Sequence, residues 1–398
     1  MTAIARTTKA AALPQSPASF VPGPTFKRAL ALAGLVAPTR SSNPLLPALS
    51  LHSLDGALTV SCTNLEMILH QQVTAADLPD FHVMANAQKL RQASAFMAES
   101  TVPLSVDGKQ LRIGLEEDGS VMTLETRPGE ELRIFERMGL NDTPAYTHRV
   151  PAAELRNALR AVSYAASNEA FQAVFRGIAL KQRNGGYEVV ASDGFRAAIY
   201  TVSAPLPDAI IPKRVAQVIA ELLKGAKAGD EVELAVVEAG KVNEGAAWLA
   251  VRTGGVQLYF RCMDGTFPDY GRVIESDTAK WINATWSREG MLRRLKMLRL
   301  TADHNSNHRI EFSYRGDRLS LKAEGDDGSM QATLPLEAPV ARTKDGADTA
   351  FNALYLMDAL GNTAAEHTLI RASHEPKPNG RVQISAGPYL AIVVAFRV

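Results

Sequence analysis

Cysteine is almost absent from this 398-residue chain: only Cys62 and Cys262 occur, far apart and outside any metal or redox spacing, so no disulfide framework is encoded. This usage fits a reducing compartment and buried thiols. No apolar run approaches a membrane span, which argues against a helical membrane protein and a membrane partner. An excess of charge is missing too. With 43 Lys and Arg against 42 Asp and Glu, the net +1 is silent about partners, and only the distribution of charge is informative. The first 54 residues contain no acid but hold Arg6, Lys9, Lys27, Arg28 and Arg40.

A complete set of catalytic groups is also lacking. Cys62 sits between Ser61 and Thr63 in a strand-like run, and Asp193 lies in a Ser-Asp-Gly turn. Neither has a partner base, and no glycine loop shaped to cradle phosphate accompanies them. His304 and His308 stand four apart in the polar stretch HNSNH, with no third ligand indicated. The expectation is no enzyme, no metal and no cofactor; the rival is a hydrolase using Cys62 or Asp193.

What is present is a repeat. Residues 1–24 are rich in Ala, Pro, Ser and Thr and read mainly as a disordered basic tail, 1–20. Their acid-free composition also fits a transit peptide; Lys9, Pro14, Gln15 and Ser16 break up any signal-peptide core. A helix is expected over 25–37, strands over 46–54 and 58–60 around Asp55-Gly56, a helix over 85–97, and a meander over 102–133. The order then recurs. Pro151 and Pro212 open helices, strands run through 231–261, and 266–278 reads as a linker. A third round has helices at 287–300, with Leu292, Leu295 and Leu298 inside, and at 352–360, then strands at 382–385 and 389–396. The stretch 185–200, GGYEVVASDGFRAAIY, reads as a hairpin whose grammar returns at 55–67 and 316–330, 129 residues earlier and 132 later. An α+β chain of three similar units follows, with boundaries 21–147, 148–275 and 276–398.

The first helix of each unit carries cations: Lys27 and Arg28, Arg156 and Arg160, then Arg293, Lys296 and Arg299. Lys89, Lys213 and Arg214 mark the second helices. Cations recurring at equivalent places suit binding to a phosphate backbone. They equally suit the solvated face that any amphipathic helix needs.

The ordered set TRSSNPLLPAL (39–49), DGALTVSCTNLEM (55–67), ASDGFRAAIY (191–200), IIPKRVAQVI (210–219), FPDYGRVIE (267–275) and VVAFRV (393–398) resembles the bacterial DNA polymerase III beta subunit, the sliding clamp family. The resemblance implies three tandem copies of the DNA-clamp fold, each with two helices packed on curved antiparallel sheets, and a head-to-tail homodimer ring around duplex DNA. It implies a processivity factor, loaded by a clamp loader, that tethers the polymerase III alpha subunit, other polymerases and repair proteins by short linear motifs. Their peptides would enter a pocket between the second and third domains. Phe175, Ser192, Gly194, Phe195, Arg196 and Ala197 form one wall by resemblance, with Pro268, Arg272 and Val273 from the linker and Asn352, Tyr355, Ile392, Ala395, Phe396 and Arg397 from the third domain. Substituting Arg196 and Phe396 together is expected to weaken peptide binding and leave assembly intact. Arg40 lies in a loop that approaches DNA in the family, and an edge strand, 120–124, is the expected ring edge of the first domain. The chain departs from the family's pattern in Ala197, where Leu is common, Phe195, where His is frequent, Ala395-Phe396, where Pro-Met is common, and Ala173-Val174 on the DNA side. The alternative is a specialised paralogue for repair or a mobile element, or a partner-binding scaffold that does not encircle DNA.

Overall fold

The structure, a computed structural model, describes residues 19–75, 77–115, 119–129, 144–169, 172–237, 247–274, 281–338, 349–363, 369–375 and 380–396. Arg6, Lys9 and Arg397 lie outside the described residues. Seven α-helices occur among them, and six start directly on the end of a strand. Helix α1 (Gly23–Val36) follows Phe20–Pro22, α2 (Ala87–Ala93) follows Phe81–Asn86, α3 (Ala152–Val162) follows His148–Pro151, and α4 (Lys213–Leu222) follows Ala209–Pro212. After the single turn α5 (Gly271–Ile274), α6 (Arg288–Leu298) follows Ile282–Ser287 and α7 (Ala353–Gly361) follows Thr349–Asn352. Two kinds of junction make this turn from strand to helix. Pro22, Pro151 and Pro212 stand at the boundary with extended ψ, where a ring-fixed φ suits both neighbours. Asn86, Ser287 and Asn352 instead accept from the backbone N–H of Lys89 (2.9 Å), Gly290 (3.0 Å) and Leu354 (2.8 Å), each satisfying an orphan donor of the first turn.

The hairpin repeat is visible atom by atom. Asp55-Gly56 and Asn184-Gly185 both take left-handed backbone, with φ of 48° and 76° and of 51° and 77°, as two-residue hairpins of the favoured twist require. At the far end of the first hairpin, Asn64 Oδ1 accepts from Glu66 and Met67 N–H, while Thr63 Oγ1 accepts from Leu65 N–H and donates to Met67 O. In the second, Asp193 Oδ1 accepts from Phe195 and Arg196 N–H, while Ser192 Oγ accepts from Gly194 N–H and donates to Arg196 O. Asp193 is thereby the keystone of a turn.

The chain groups into two compact units, Met1–Tyr146 with Ala235–Arg261, and Thr147–Leu234 with Cys262–Val398. In the first, antiparallel strands run in the order Trp248–Thr253, Val256–Arg261, Met67–Thr74, Ala57–Thr63, Ala48–Leu54, Phe81–Asn86, Arg127–Pro128. A separate four-stranded sheet ends at Val121–Glu125, close to the expected edge 120–124. Helices α1 and α2 pack together, and α1 lays Phe26, Leu30 and Ala33 on Ala57–Thr63 and Met67–Thr74. Cys62 is fully buried there, with Sγ 3.5 Å from Ala33 O, and burial pushes its thiol up to about 12. It is a core side chain, as its short apolar strand suggests. The second helix stops at Ala93, short of the expected 97: Ser94 Oγ donates to Arg91 O at 2.7 Å, and a 3-10 turn, Ser94–Phe96, takes over.

The second unit has an eight-stranded antiparallel sheet in the order Ala209–Pro212, Gly177–Arg183, Gly186–Ser192, Arg196–Val202, Tyr389–Val394, Arg381–Ala386, Leu369–His374, Ile282–Ser287. A four-stranded sheet runs Gly328–Pro335, Arg318–Gly325, Arg309–Arg315, Thr349–Asn352. Helix α3 packs on α4 and α6 on α7, so each of the three repeats has its helix pair. On α6 the buried face is Met291, Leu295 and Leu298, spaced i, i+4, i+7; Leu292, expected inside, is only half-buried. His304 and His308 lie in turns between α6 and the next strand; His308 Nδ1 is 2.8 Å from Ala302 O.

Candidate functional site

The last described strand of the chain seals the second and third repeats together. Tyr389–Val394 pairs with Arg196–Val202, placing Val393 opposite Arg196 and Ile392 opposite Ala197. In the first unit Val256–Arg261 meets Met67–Thr74 in the same way. Because side chains alternate along a strand, Arg196 and Ala197 face opposite sides of the seam, and the residues expected to share one pocket divide between those sides.

On one side the chain from Met263 to Ile274 crosses the sheet. Met263 N–H donates to Ile210 O at 2.8 Å. Phe267 is buried and meets Phe175 and Tyr270 edge-on, with centroids 6.2 Å apart in each case. Tyr270 Oη donates to Glu188 Oε2 at 2.6 Å, and burial followed by that contact pushes the Tyr270 phenol up. Ala197, Ile199, Phe267 and Ile392 form an apolar floor against which Val174, Val273 and Ile274 pack half-buried. Val174, assigned by resemblance to the DNA side, belongs to this floor because its 3-10 turn, Ala173–Arg176, leads straight into the strand beginning at Gly177. Pro268 and Arg272 remain exposed; Arg272 makes a 3.4 Å ion pair with Asp269.

On the other side Arg196 is the hub. Its Nε donates to Asp193 Oδ2 (2.9 Å), Nη1 to Asp358 Oδ2 of α7 (2.6 Å) and Nη2 to Tyr164 O just beyond α3 (3.1 Å). Its Cζ lies 4.3 Å from the Tyr355 ring centroid and 5.3 Å from that of Tyr164. Burial works against the charge, but the hydrogen bonds and charges of Asp358 and Asp193 outweigh it and raise the guanidinium pKa further. Tyr164 Oη and Tyr389 Oη share a 2.7 Å bond, and Tyr389 Oη donates to Ala359 O at 3.0 Å. Burial, then the nearby Arg196 charge, depresses the Lys213 ammonium.

Around the rim, Phe195 is 65% exposed, although its N–H is held by Asp193 and its carbonyl by Val394 N–H at 3.0 Å. It is an apolar side chain fixed in place and left uncovered, next to Gly194 with φ 90°. Asn352 is the cap of α7: its Oδ1 accepts from Leu354 and Tyr355 N–H and its Nδ2 donates to Asn307 O, which orients Tyr355. Ala395 is buried, and half-buried Phe396 is pinned through its N–H to Ala350 O, with Arg309 5.9 Å from its ring centroid. Tyr164, Glu188, Asp358 and Gln383 escaped the sequence reading. No spacing relates Tyr164, Asp358 or Gln383 to the hairpin, and Glu188, which lies within it, meets a partner 82 residues away.

The cations differ in what they do. Arg40, Lys89, Arg160, Arg293, Lys296 and Arg299 are exposed, as are Arg28 and Arg214. Lys27 is half-buried and ion-paired with Glu99. Arg156 Nε donates to Ala220 O at 3.3 Å, bridging α3 to α4. Lys213 donates to Ala166 O (2.8 Å) and Asn168 Oδ1 (3.1 Å). Three cations expected to face DNA thus already serve the protein's own backbone or side chains.

Residues 25–135 match the N-terminal domain of the DNA polymerase III beta subunit, and residues 149–269 match its central domain. The chain belongs to the DNA polymerase III beta subunit family. It is similar to the beta sliding clamp of Caulobacter vibrioides, 25% identical over 370 residues, covering 89% of this chain and 94% of that protein. Its fold is that of the solved beta subunit from Thermotoga maritima, with a TM-score of 0.79 at 20% identity over 96% of this chain and 100% of the other. A sliding clamp from Pseudomonas aeruginosa, solved bound to griselimycin, superposes with a TM-score of 0.79 at 19% identity, again over 96% of this chain and 100% of that one.

Proposed function

We propose that this protein is a DNA sliding clamp, a non-enzymatic processivity factor that encircles duplex DNA as a head-to-tail homodimer and tethers polymerases, the clamp loader and repair proteins by short peptides. The observation that carries the reading is the ordered match of residues 25–135 and 149–269 to two successive beta-subunit domains. On this reading the chain holds three clamp domains, 21–147, 148–275 and 276–398. The exposed cations of α1, α3 and α6 would then attract the backbone without reading bases. Binding to chromosomal DNA would place the protein at the nucleoid in the cytoplasm; no helix among the described residues is long and apolar enough to cross a membrane.

Ring closure has a physical candidate in the second unit. Helix α6 packs on Gly328–Pro335, the end strand of its sheet among the described residues, and at the C-terminal end of the helix Met297 and Leu300 are 44% and 79% exposed. An open edge flanked by bare apolar side chains invites pairing, and Val121–Glu125 of a second copy offers another open edge. Head-to-tail contacts of this kind close a ring. The peptide pocket is proposed at the seam of Arg196–Val202 with Tyr389–Val394, with griselimycin as its probe because a related clamp binds it.

The deciding experiment loads the protein on nicked circular DNA at salt high enough to suppress charge attraction, then linearises the circle. Retention on circles and loss from linear ends is expected. Equal behaviour of the two forms, with a known clamp loading normally in parallel, refutes encirclement and leaves a partner-binding paralogue. Leu300→Asp is expected to convert dimers to monomers in sedimentation and to abolish retention on circles; an unchanged dimer would remove this edge from the interface.

A further inference from the structure

The apolar floor of the seam ends in a buried polar side chain. Across the hydrogen-bonded strands Ser192 stands opposite Ala197, Ala197 opposite Ile392, and Ile392 opposite Gln383, so all four share one face. Gln383 is 6% exposed, and its amide Nε2 lies 3.3 Å from both Val273 O and Ile274 O. Those carbonyls end the segment that carries Pro268, Arg272 and Val273. The same segment is fixed upstream by buried Phe267 and by the Tyr270–Glu188 hydrogen bond, with Arg183 3.8 Å from Glu188 and 5.6 Å from the Tyr270 ring centroid. Its downstream end rests on the floor through Val273 and Ile274, and among the described residues the side-chain hydrogen bonds to its carbonyls come from Gln383 of another repeat.

We infer that Gln383 is a positioning residue for the peptide pocket: it clamps the end of the crossing segment onto the third repeat and so sets the distance between the Val273 wall and the Ala197–Ile392 floor. This inference rests on the seam being the peptide pocket. The reason is chemical. Two neighbouring carbonyls need a donor, and an amide presents one in a site where an ionised group would be costly. Released from Gln383, the α5 end of the segment would keep its own turn and the packing of Val273 and Ile274 on the floor but lose the hydrogen bonds that fix its height, and a peptide would have to order it on binding.

The test measures griselimycin binding to the full-length protein by calorimetry at pH 6 and pH 9, with thermal melting alongside. The wild type should bind alike at both values. Gln383→Leu, similar in size but without a donor, should weaken binding about ten-fold at both. Gln383→Glu supplies a readout that a merely structural role would not move. Protonated, it donates to the carbonyls as the amide does; ionised, it repels them. Burial and the facing carbonyls hold the proton on at pH 6. Binding should therefore be near wild type at pH 6 and about ten-fold weaker at pH 9. If Gln383→Leu proves too unstable to assay, the two pH values of Gln383→Glu decide alone. Variants that match a binding wild type at both pH values overturn the role of Gln383. A wild type that fails to bind griselimycin removes the pocket reading itself, a distinguishable result.

Discussion

Arg196→Ala should lower the stability of the protein by about 3–5 kcal/mol, the usual cost of removing one member of a buried ion pair. Arg196 and Asp193 are each only 13% exposed and bonded at 2.9 Å, so truncation strands a carboxylate. It also frees Asp358, the Tyr164 carbonyl and the face of Tyr355. Arg196→Lys should recover little, because an ammonium cannot reproduce a planar fork that serves three acceptors. Phe396→Ala should mainly affect binding: its ring is half-buried, and its backbone bond to Ala350 O survives the change. A loss of stability is therefore expected alongside the weaker peptide binding and intact assembly expected of the combined substitution. Urea denaturation with parallel griselimycin titration separates the effects. A stable Arg196→Ala that binds more weakly would restore Arg196 as a simple ligand contact, and a stable variant with unchanged affinity would remove it from both roles.

Acidification from pH 7 to 4.5 should destabilise the second unit by about 2–3 kcal/mol through His374 alone. This ring is 1% exposed, among Phe312, Tyr314 and Phe351 with centroids 5.4–6.5 Å away. Neither of its nitrogens has a hydrogen-bond partner among the described residues. Burial lowers its pKa from 6.5 to about 4. Since the folded value lies below the unfolded one, the unfolded chain takes up the proton first. Stability is complete above pH 6.5 and is lost as pH falls toward 4. Burial lowers His70 to about 4 as well, which adds a loss of the same sign in the first unit. Urea midpoints at the two pH values check this, and His374→Phe should flatten the dependence of the second unit. An equal slope in that variant would show that His374 is not the group responsible.

Much of the site was legible because it is local. Ser192, Asp193 and Gly194 announce a turn by composition, and their hydrogen bonds close within four residues. Pro212 and Asn352 mark helix starts for reasons carried by their own side chains. The partners of Arg196 were not legible: Asp358 is 162 residues away and Tyr164 is 32. Nor does sequence tell an exposed lysine from one already engaged, as with Lys27 and Glu99, 72 residues apart.

By itself the sequence determined the three-fold repeat, its helix and hairpin boundaries to within a few residues, the core identity of Cys62 and the family. Each depends on periodicity, turn chemistry or ordered motifs, which short stretches of chain carry alone. Only the tertiary structure decided that the final strand pairs with the central hairpin, that Arg196 and Ala197 lie on opposite faces of that seam, and that Gln383 reaches the crossing segment. Strand pairing over such separations is fixed by which edges remain open once every repeat has folded, a property of the assembled sheets rather than of any local run of residues.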